Sequence, residues 1–167
     1  ELIDTMREDF TNLGPTLDPH AAYLLLRGIK TYYVRWDCQC RNAMLVAEFL
    51  QSHPAVAKVR YPGLASDPGH TLAARQMDGF GTMVTFDLRA GTEAGTRFAE
   101  ALELFSITSS LGSTESLVVP PALQQPRGYT PEQVTWSDIG PGTVRLSIGI
   151  EDATDLVDDL RQALALV

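Results

Sequence analysis

Cysteine, histidine and basic side chains are scarce in this 167-residue sequence, and each shortage argues against a class of function. Cys38 and Cys40 lie two positions apart in a predicted helix, where their side chains diverge by about 200°, so we expect neither a disulfide nor a shared metal. His20, His53 and His70 each lie beside Pro or Gly, without the spacing of zinc ligands. Free thiols are typical of a reducing cytoplasm, where we expect this protein to be located.

Basic residues number 13 against 21 acidic ones, which leaves a formal net charge of −8. A chain of this charge has no basic stripe for a phosphate backbone, so we expect no nucleic-acid partner. Apolar runs are only a few residues long, so no membrane span is predicted. No serine lies in a G-x-S-x-G motif, and residues 79–81 begin a glycine pattern that lacks its third glycine. The chain therefore shows no motif of an independent catalyst.

The hydrophobic pattern predicts helices mixed with short strands around a single core. Several connections are too short for a crossover helix, which favours an α/β fold with an antiparallel or mixed sheet and helices on one side. Residues 124–142 contain Pro and Gly and are predicted to form a long loop. The predicted helices are residues 1–10, 18–53 with a bend near Gly28 or residues 32–34, 70–77, 92–104 and 152–167. The predicted strands are residues 56–61, 81–88, 105–108, 117–119 and 143–148.

Arg145 lies in an apolar strand pattern, where Val144 and Leu146 face one way and Arg145 and Ser147 the other. A guanidinium there is either solvated on the open face of the sheet or paired, because an unpaired buried charge is costly. Its planar shape suits a carboxylate held by two parallel hydrogen bonds. Both interpretations remain open on the pattern alone.

Residues 109–116 form a polar segment between two apolar strands. Hydroxyls, backbone amides and Gly112 can surround a small anion or an amino acid. A plain polar turn explains the same composition.

Several segments together resemble the pyridoxal-phosphate (PLP)-dependent enzymes of cysteine and methionine metabolism, which include cystathionine γ-lyase, cystathionine γ-synthase and methionine γ-lyase. The resemblance covers essentially the whole chain, in order and nearly without gaps. The segments that carry it are residues 14–22, 26–31, 42–43, 59–64, 79–86, 110–117, 121–122 and 144–152.

The resemblance implies the C-terminal small domain of a PLP-dependent transferase of fold type I, preceded by the last helix of the large domain. Residues 1–17 would end the PLP-binding large domain and its linker, and residues 18–167 would form the small domain. The lysine that forms the Schiff base with PLP would lie upstream, because Lys30 and Lys58 match other positions. We therefore expect one portion of a longer polypeptide. The family also implies a homodimer or homotetramer.

The resemblance also gives the two unexplained features a role. The arginine that matches Arg145 binds the α-carboxylate of the amino-acid substrate, and the serine that matches Ser110 assists it. Residues around Leu111 and Gly112 border the cofactor pocket. Ser109 is a departure, because cystathionine enzymes tend to have glutamate there and methionine γ-lyases a small apolar residue.

Two more departures lie near the expected substrate. The family usually has a Thr-His pair where this chain has Gln125-Pro126, and a histidine where it has Gln39. We therefore predict a PLP-dependent C–S lyase that acts by β- or γ-elimination on a cystathionine-, methionine- or cysteine-type amino acid, with the exact substrate open. The alternatives are a γ-synthase that transfers a thiol to activated homoserine, and a non-catalytic module of a larger multi-enzyme protein.

Overall fold

The computed structural model describes residues 2–14, 16–124 and 128–167. The chain begins with three helices, alternates helices and strands in its middle, and ends with a helix. The elements are α1 (Leu2–Leu13), α2 (Pro19–Ile29), α3 (Tyr32–Ser52), β1 (Val56–Arg60), α4 (His70–Gln76), β2 (Met83–Leu88), α5 (Gly91–Ala101), β3 (Ser106–Ile107), β4 (Leu117–Val119), α6 (Pro121–Gln124), α7 (Pro131–Ser137), β5 (Thr143–Ser147) and α8 (Ala153–Leu164).

The long predicted helix is two helices, α2 and α3, of which the first ends at Ile29. Asp18 begins α2 by accepting hydrogen bonds from the backbone N–H groups of His20 and Ala21, and Pro19 occupies the first turn. The break follows at residues 30–31, where the N–H of Thr31 donates to the carbonyl of Gly28. The predicted bend is thus an interruption between two helices.

The prediction of a loop over residues 124–142 is wrong for part of that segment. Residues 131–137 form α7, whose N-cap Thr130 and Gln133 make a reciprocal capping box, with Pro131 in the first turn. The helix is short and mostly exposed, so it lacks the apolar periodicity by which the longer helices were predicted. Gln125 and Pro126, the predicted departure from the family pattern, lie outside the described residues.

The five strands form one mixed sheet in the order β1-β2-β5-β4-β3. All neighbours are antiparallel except β3 and β4, which are parallel. β2 alternates as predicted, with Val84, Phe86 and Leu88 buried and the intervening residues partly exposed. This confirms the mixed α/β sheet.

The core lies between one face of the sheet and the helices α3, α5 and α8. The rings of Phe86 on β2 and Phe98 on α5 meet edge to face, with centroids 5.5 Å apart. The residues that build the core from the helix side include Val46, Leu50, Phe98, Leu156 and Leu160. The opposite face of the sheet is therefore left for polar side chains.

The chain separates into two compact units, residues 1–34 and residues 35–167. The second unit contains the whole sheet and the hydrophobic core. In the first unit, α2 has no buried residue and exposes Leu24, Leu25, Leu26 and Ile29. Across the described part of the chain, none of the helices combines the length and the apolar character that a membrane span requires.

Candidate functional site

Arg145 lies in the middle of β5, between the neighbouring strands β2 and β4. Its register partners are Thr85 on β2 and Val119 on β4. Because side chains alternate along a strand, the buried Val144 and Leu146 face the helices, and Arg145 projects from the other face of the sheet. The sheet therefore holds this guanidinium on a stiff support.

The guanidinium of Arg145 contacts the loop of residues 109–116, which we call the serine loop. Its Nη2 donates to the carbonyl oxygens of Ser109 and Ser110, at 3.2 and 3.4 Å. Its Nε is buried and has no hydrogen-bond partner among the described residues. No carboxylate of the described residues forms an ion pair with Arg145. The guanidinium thus retains both an unpaired donor and an uncompensated charge.

The serine loop connects the parallel strands β3 and β4 and therefore returns across the polar face of the sheet. Gly112 adopts a φ of +76°, which favours glycine, and its N–H donates to Ser147 Oγ at 2.9 Å. Ser109, Ser110 and Leu111 are exposed at the surface of this loop. Ser109 and Ser110 thus contact Arg145 through their carbonyl groups, while the Leu111 side chain is open to the surroundings.

The end of the serine loop is held by a carboxylate that the sequence did not reveal. Glu151 accepts hydrogen bonds from Ser116 N at 2.6 Å and Ser116 Oγ at 2.9 Å. Ser116 Oγ in turn accepts from the N–H of Gly149 at 2.9 Å. Because 35 residues separate Glu151 from Ser116, no local periodicity signals this anchor.

Two buried amides on α3 complete the support. Gln39 Nε2 donates to the carbonyls of Ser113 and Ile148, at 2.8 and 2.9 Å. Asn42 Nδ2 donates to the carbonyls of Gly149 and Glu151, at 3.2 and 2.8 Å. In the sequence, Gln39 was notable only because the family that the chain resembles usually has a histidine there. That difference did not predict the contacts of Gln39.

A second group of charges, on β1, on β2 and at the end of α7, forms ion pairs. Arg60 donates to Asp87 and to Asp138, both at 2.7 Å, and Lys58 donates to Asp138 at 2.6 Å. Burial lowers the pKa of Arg60, but its hydrogen bonds to Asp87 and Asp138 outweigh this, so its pKa is raised overall. Hydrogen bonds from Arg60 and Lys58 hold the pKa of Asp138 well below its usual range. Arg60 Nη1 is also buried without a partner in the described part of the chain, but two carboxylates balance the charge of this guanidinium.

The thiols and lysines of the chain offer no clear nucleophile. Cys38 and Cys40 are free thiols. Burial raises the pKa of the Cys40 thiol and disfavours the reactive thiolate. Lys58 is engaged by Asp138 at 2.6 Å, and Lys30 is exposed in residues 1–34. The guanidinium of Arg145, whose Nε has no partner among the described residues, therefore remains the candidate binding group.

Comparison with known proteins identifies relatives of this chain by sequence. L-methionine gamma-lyase of Pseudomonas putida is 48% identical over 167 residues, which are 98% of this chain and 42% of that protein. Cystathionine gamma-synthase of Mycobacterium leprae is 45% identical over 151 residues, which are 90% of this chain and 38% of that protein. The chain thus spans about two-fifths of the length of these curated relatives.

A solved structure has the same fold as this chain. It is described as an O-acetylhomoserine (thiol)-lyase of Campylobacter jejuni with N'-pyridoxyl-lysine-5'-monophosphate. It superimposes with a TM-score of 0.89 and 34% identity, over 98% of this chain and 39% of that one. The model of the family described as "Cys/Met metabolism PLP-dependent enzyme" matches residues 1–165. The chain therefore belongs to the Cys/Met metabolism PLP-dependent enzyme family.

Proposed function

We propose that this chain is the substrate-binding C-terminal part of a PLP-dependent carbon–sulfur lyase that acts by β- or γ-elimination on a sulfur amino acid. In this proposal, Arg145 binds the α-carboxylate, and Ser109, Ser110 and Leu111 border the bound amino acid. The observation that carries it is the uncompensated guanidinium of Arg145, which has a buried Nε without a partner. An incoming carboxylate would supply both the missing acceptor and the missing charge.

The residues of the chain would act by holding the substrate in one orientation. The carbonyls of Ser109 and Ser110 accept from Nη2 and restrict the rotation of the guanidinium. A guanidinium that is already oriented loses little freedom when it binds the two oxygens of a carboxylate. An amino acid fixed at its carboxylate has fewer orientations around Cα, which raises the fraction aligned for reaction.

In this proposal, PLP would be attached to another part of the protein and would act on the amino acid that this site holds. When bound, PLP supplies an electron sink that makes the bonds at Cα of an amino acid easier to break. The unpaired donor of Arg145 suits the amino acid that such a cofactor processes. Because Lys30 and Lys58 match other positions of the family, we assign the covalent attachment of PLP to a lysine upstream of residue 1.

The same proposal includes the division of the chain and its partners. We place residues 1–17 at the end of the PLP-binding large domain with its linker and residues 18–167 in the small domain. The exposed apolar side chains of α1 and α2, among them Ile3 and Leu25, need cover. We infer that the N-terminal portion of the same protein and a second subunit provide it, in a homodimer or homotetramer. We expect the assembled enzyme in the cytoplasm.

Arg145→Lys in the full-length enzyme tests the proposal. The ammonium keeps the charge but loses the planar pair of donors, so we expect KM for the amino acid to rise about 10- to 100-fold. The visible absorbance of bound PLP is expected to stay unchanged, because Arg145 is assigned to the substrate. Steady-state kinetics and absorption spectra measure the two effects.

Arg75→Lys is the matched control, because Arg75 is exposed on α4. We expect it to leave KM unchanged. A wild-type KM in Arg145→Lys would contradict the assigned role of Arg145. A full-length protein that binds no PLP would instead favour the non-catalytic module.

A γ-synthase is the second candidate, favoured by the 45% identity to a cystathionine gamma-synthase. Incubation of the full-length enzyme with methionine, cystathionine and cysteine, each alone, separates the two. Release of a thiol and a keto acid from one of them indicates the lyase. Turnover only with an activated homoserine and an added thiol indicates the synthase.

A further inference from the structure

Gln39 joins the serine loop to the strand that carries Arg145. It is 7% exposed, and its Nε2 lies within 3 Å of two carbonyl oxygens, those of Ser113 in the loop and Ile148 just after β5. A carboxamide nitrogen has two N–H bonds, so each carbonyl receives one of them. The connection is neutral and reaches two segments that are far apart in the chain.

The two acceptors lie close to the contacts of Arg145. Ile148 follows Arg145 by three residues, and Ser113 follows Ser109 and Ser110 in the same loop. Gly112 N, next to Ser113, donates to Ser147 Oγ, next to Ile148. The separation of the serine loop and β5 is thus set by Gln39 on one side and by the Arg145–carbonyl bonds on the other. Loss of the Gln39 bonds would leave two carbonyls without donors and free the loop to shift.

We propose that Gln39 is a positioning residue for substrate binding, which keeps the carbonyls of Ser109 and Ser110 against Arg145 so that the guanidinium stays oriented for the carboxylate. This inference rests on the proposed function of Arg145. Gln162 on α8 makes the same kind of bonds on the helix side of the sheet, because its Nε2 donates to the carbonyl of Ala101 at 2.7 Å and to Asp159 Oδ1 at 2.9 Å. It therefore serves as a matched internal control.

The test compares Gln39→Met with Gln162→Met in the full-length enzyme. Each change keeps the approximate size of the side chain and removes a donor of two hydrogen bonds, so we expect both variants to lose some thermal stability. We expect KM for the amino acid to rise about five- to tenfold in Gln39→Met, with bound PLP unchanged, and to stay within about twofold of wild type in Gln162→Met. Equal KM values for the two variants would overturn the proposal.

A double-mutant cycle with Arg145→Lys tests whether Gln39 acts through Arg145. If it does, Gln39→Met adds little to the KM of Arg145→Lys, because the oriented guanidinium is already lost. Independent effects that multiply would overturn the proposal. If Arg145→Lys alone leaves KM unchanged, the proposed function fails. If only Arg145→Lys raises KM, the role of Gln39 alone fails.

Two further variants keep the test conclusive if Gln39→Met does not fold. Gln39→Glu keeps the shape but, when ionised, offers no N–H to the two carbonyls, so it is expected to raise KM as Gln39→Met would. Gln39→His restores an N–H donor and is expected to return KM to within about twofold of wild type. A high KM in Gln39→His together with a wild-type KM in Gln39→Glu would overturn the assigned hydrogen-bond role.

Discussion

Two arginines on the same sheet face have opposite surroundings. Arg60 is bound by Asp87 and Asp138, so its charge is balanced within the protein. Arg145 has only carbonyl partners, and its Nε has none among the described residues. The contrast assigns a structural task to Arg60 and leaves Arg145 available for an external anion, which is the physical basis of the proposed function.

Gly149 occupies a position where the backbone and side chains around it leave no room for a Cβ atom. A Cβ at this position would lie 2.3 Å from Thr114 O, 2.3 Å from Glu151 Oε2 and 2.7 Å from Ser116 N. Gly149→Ala is therefore expected to push the end of the serine loop away from Glu151 and to lower stability by about 1–3 kcal/mol. Thermal denaturation of the full-length protein measures this, and a raised KM for the amino acid should accompany it.

Gly28→Ala is the control for that substitution, because a Cβ on Gly28 in α2 meets nothing within 4 Å. Alanine in a helix interior is expected to be neutral or to stabilise by up to about 1 kcal/mol. A Gly149→Ala protein as stable as Gly28→Ala would mean that the loop accommodates the methyl group, contrary to the close contacts described above.

At the scale of elements, α7 is tied to the edge of the sheet by its C-cap. Asp138 ends α7 in a left-handed conformation with a φ of 53°, and its carboxylate bonds Lys58 and Arg60 on β1. Thr143, at the start of β5, donates to Asp87 Oδ1 at 2.6 Å. The segment from Asp138 to Thr143, which leads to Arg145, is thus bonded at both ends to charged side chains of β1 and β2.

Asp138→Asn tests this connection, since asparagine tolerates the left-handed conformation and removes only the charge. The lowered pKa of Asp138 means that its stabilising effect is complete above its unfolded pKa, about 3.9, and is lost as the pH falls through its lower folded pKa. We expect Asp138→Asn to cost less than about 1 kcal/mol at pH 7, because the pair is half-exposed. Stability measurements at pH 7, 5 and 3 check this.

The difference between wild type and Asp138→Asn should be the same at pH 7 and pH 5 and smaller at pH 3. Added salt at pH 7 should also reduce it, because exposed charges are screened. A difference that grows as the pH falls would show that the carboxylate of Asp138 is not the stabilising group.

At the scale of the whole molecule, the unit of residues 35–167 contains a complete core. Every member of the main hydrophobic cluster, from Ala43 to Leu164, lies within it. Residues 1–34 instead expose large apolar side chains. The boundary between the two compact units, after residue 34, differs from the predicted domain boundary after residue 17, which stays a prediction.

Two fragments, residues 18–167 and 35–167, compare these boundaries. We expect 35–167 to fold cooperatively, because it keeps the sheet, α5, α8 and all of α3 except its first three residues. Circular dichroism during thermal unfolding measures the midpoint of each fragment. A midpoint for 18–167 that is several degrees higher would support the boundary after residue 17, equal midpoints would support the boundary after residue 34, and a non-cooperative 35–167 would contradict an autonomous unit.

The amino-acid sequence by itself determined the elements whose patterns are local. Alternation predicted β2 and β5, Asp18 and Pro19 predicted the start of α2, and the mixed sheet followed from short connections. These signals are readable because they depend on neighbours within a few residues. The helix α7 was missed because its signal is a cap, Thr130 with Gln133, without an apolar stripe.

Only the tertiary structure decided which groups surround Arg145. The bonds of Gln39 to Ser113 and Ile148 cross 74 and 109 residues, and that of Glu151 to Ser116 crosses 35. Such partners meet because strands pair and a loop returns over the sheet, and no pattern of near neighbours records which distant carbonyl a buried amide reaches. The sequence alone identified an arginine suited to a carboxylate, whereas only the folded arrangement shows that no carboxylate of the described residues pairs with it.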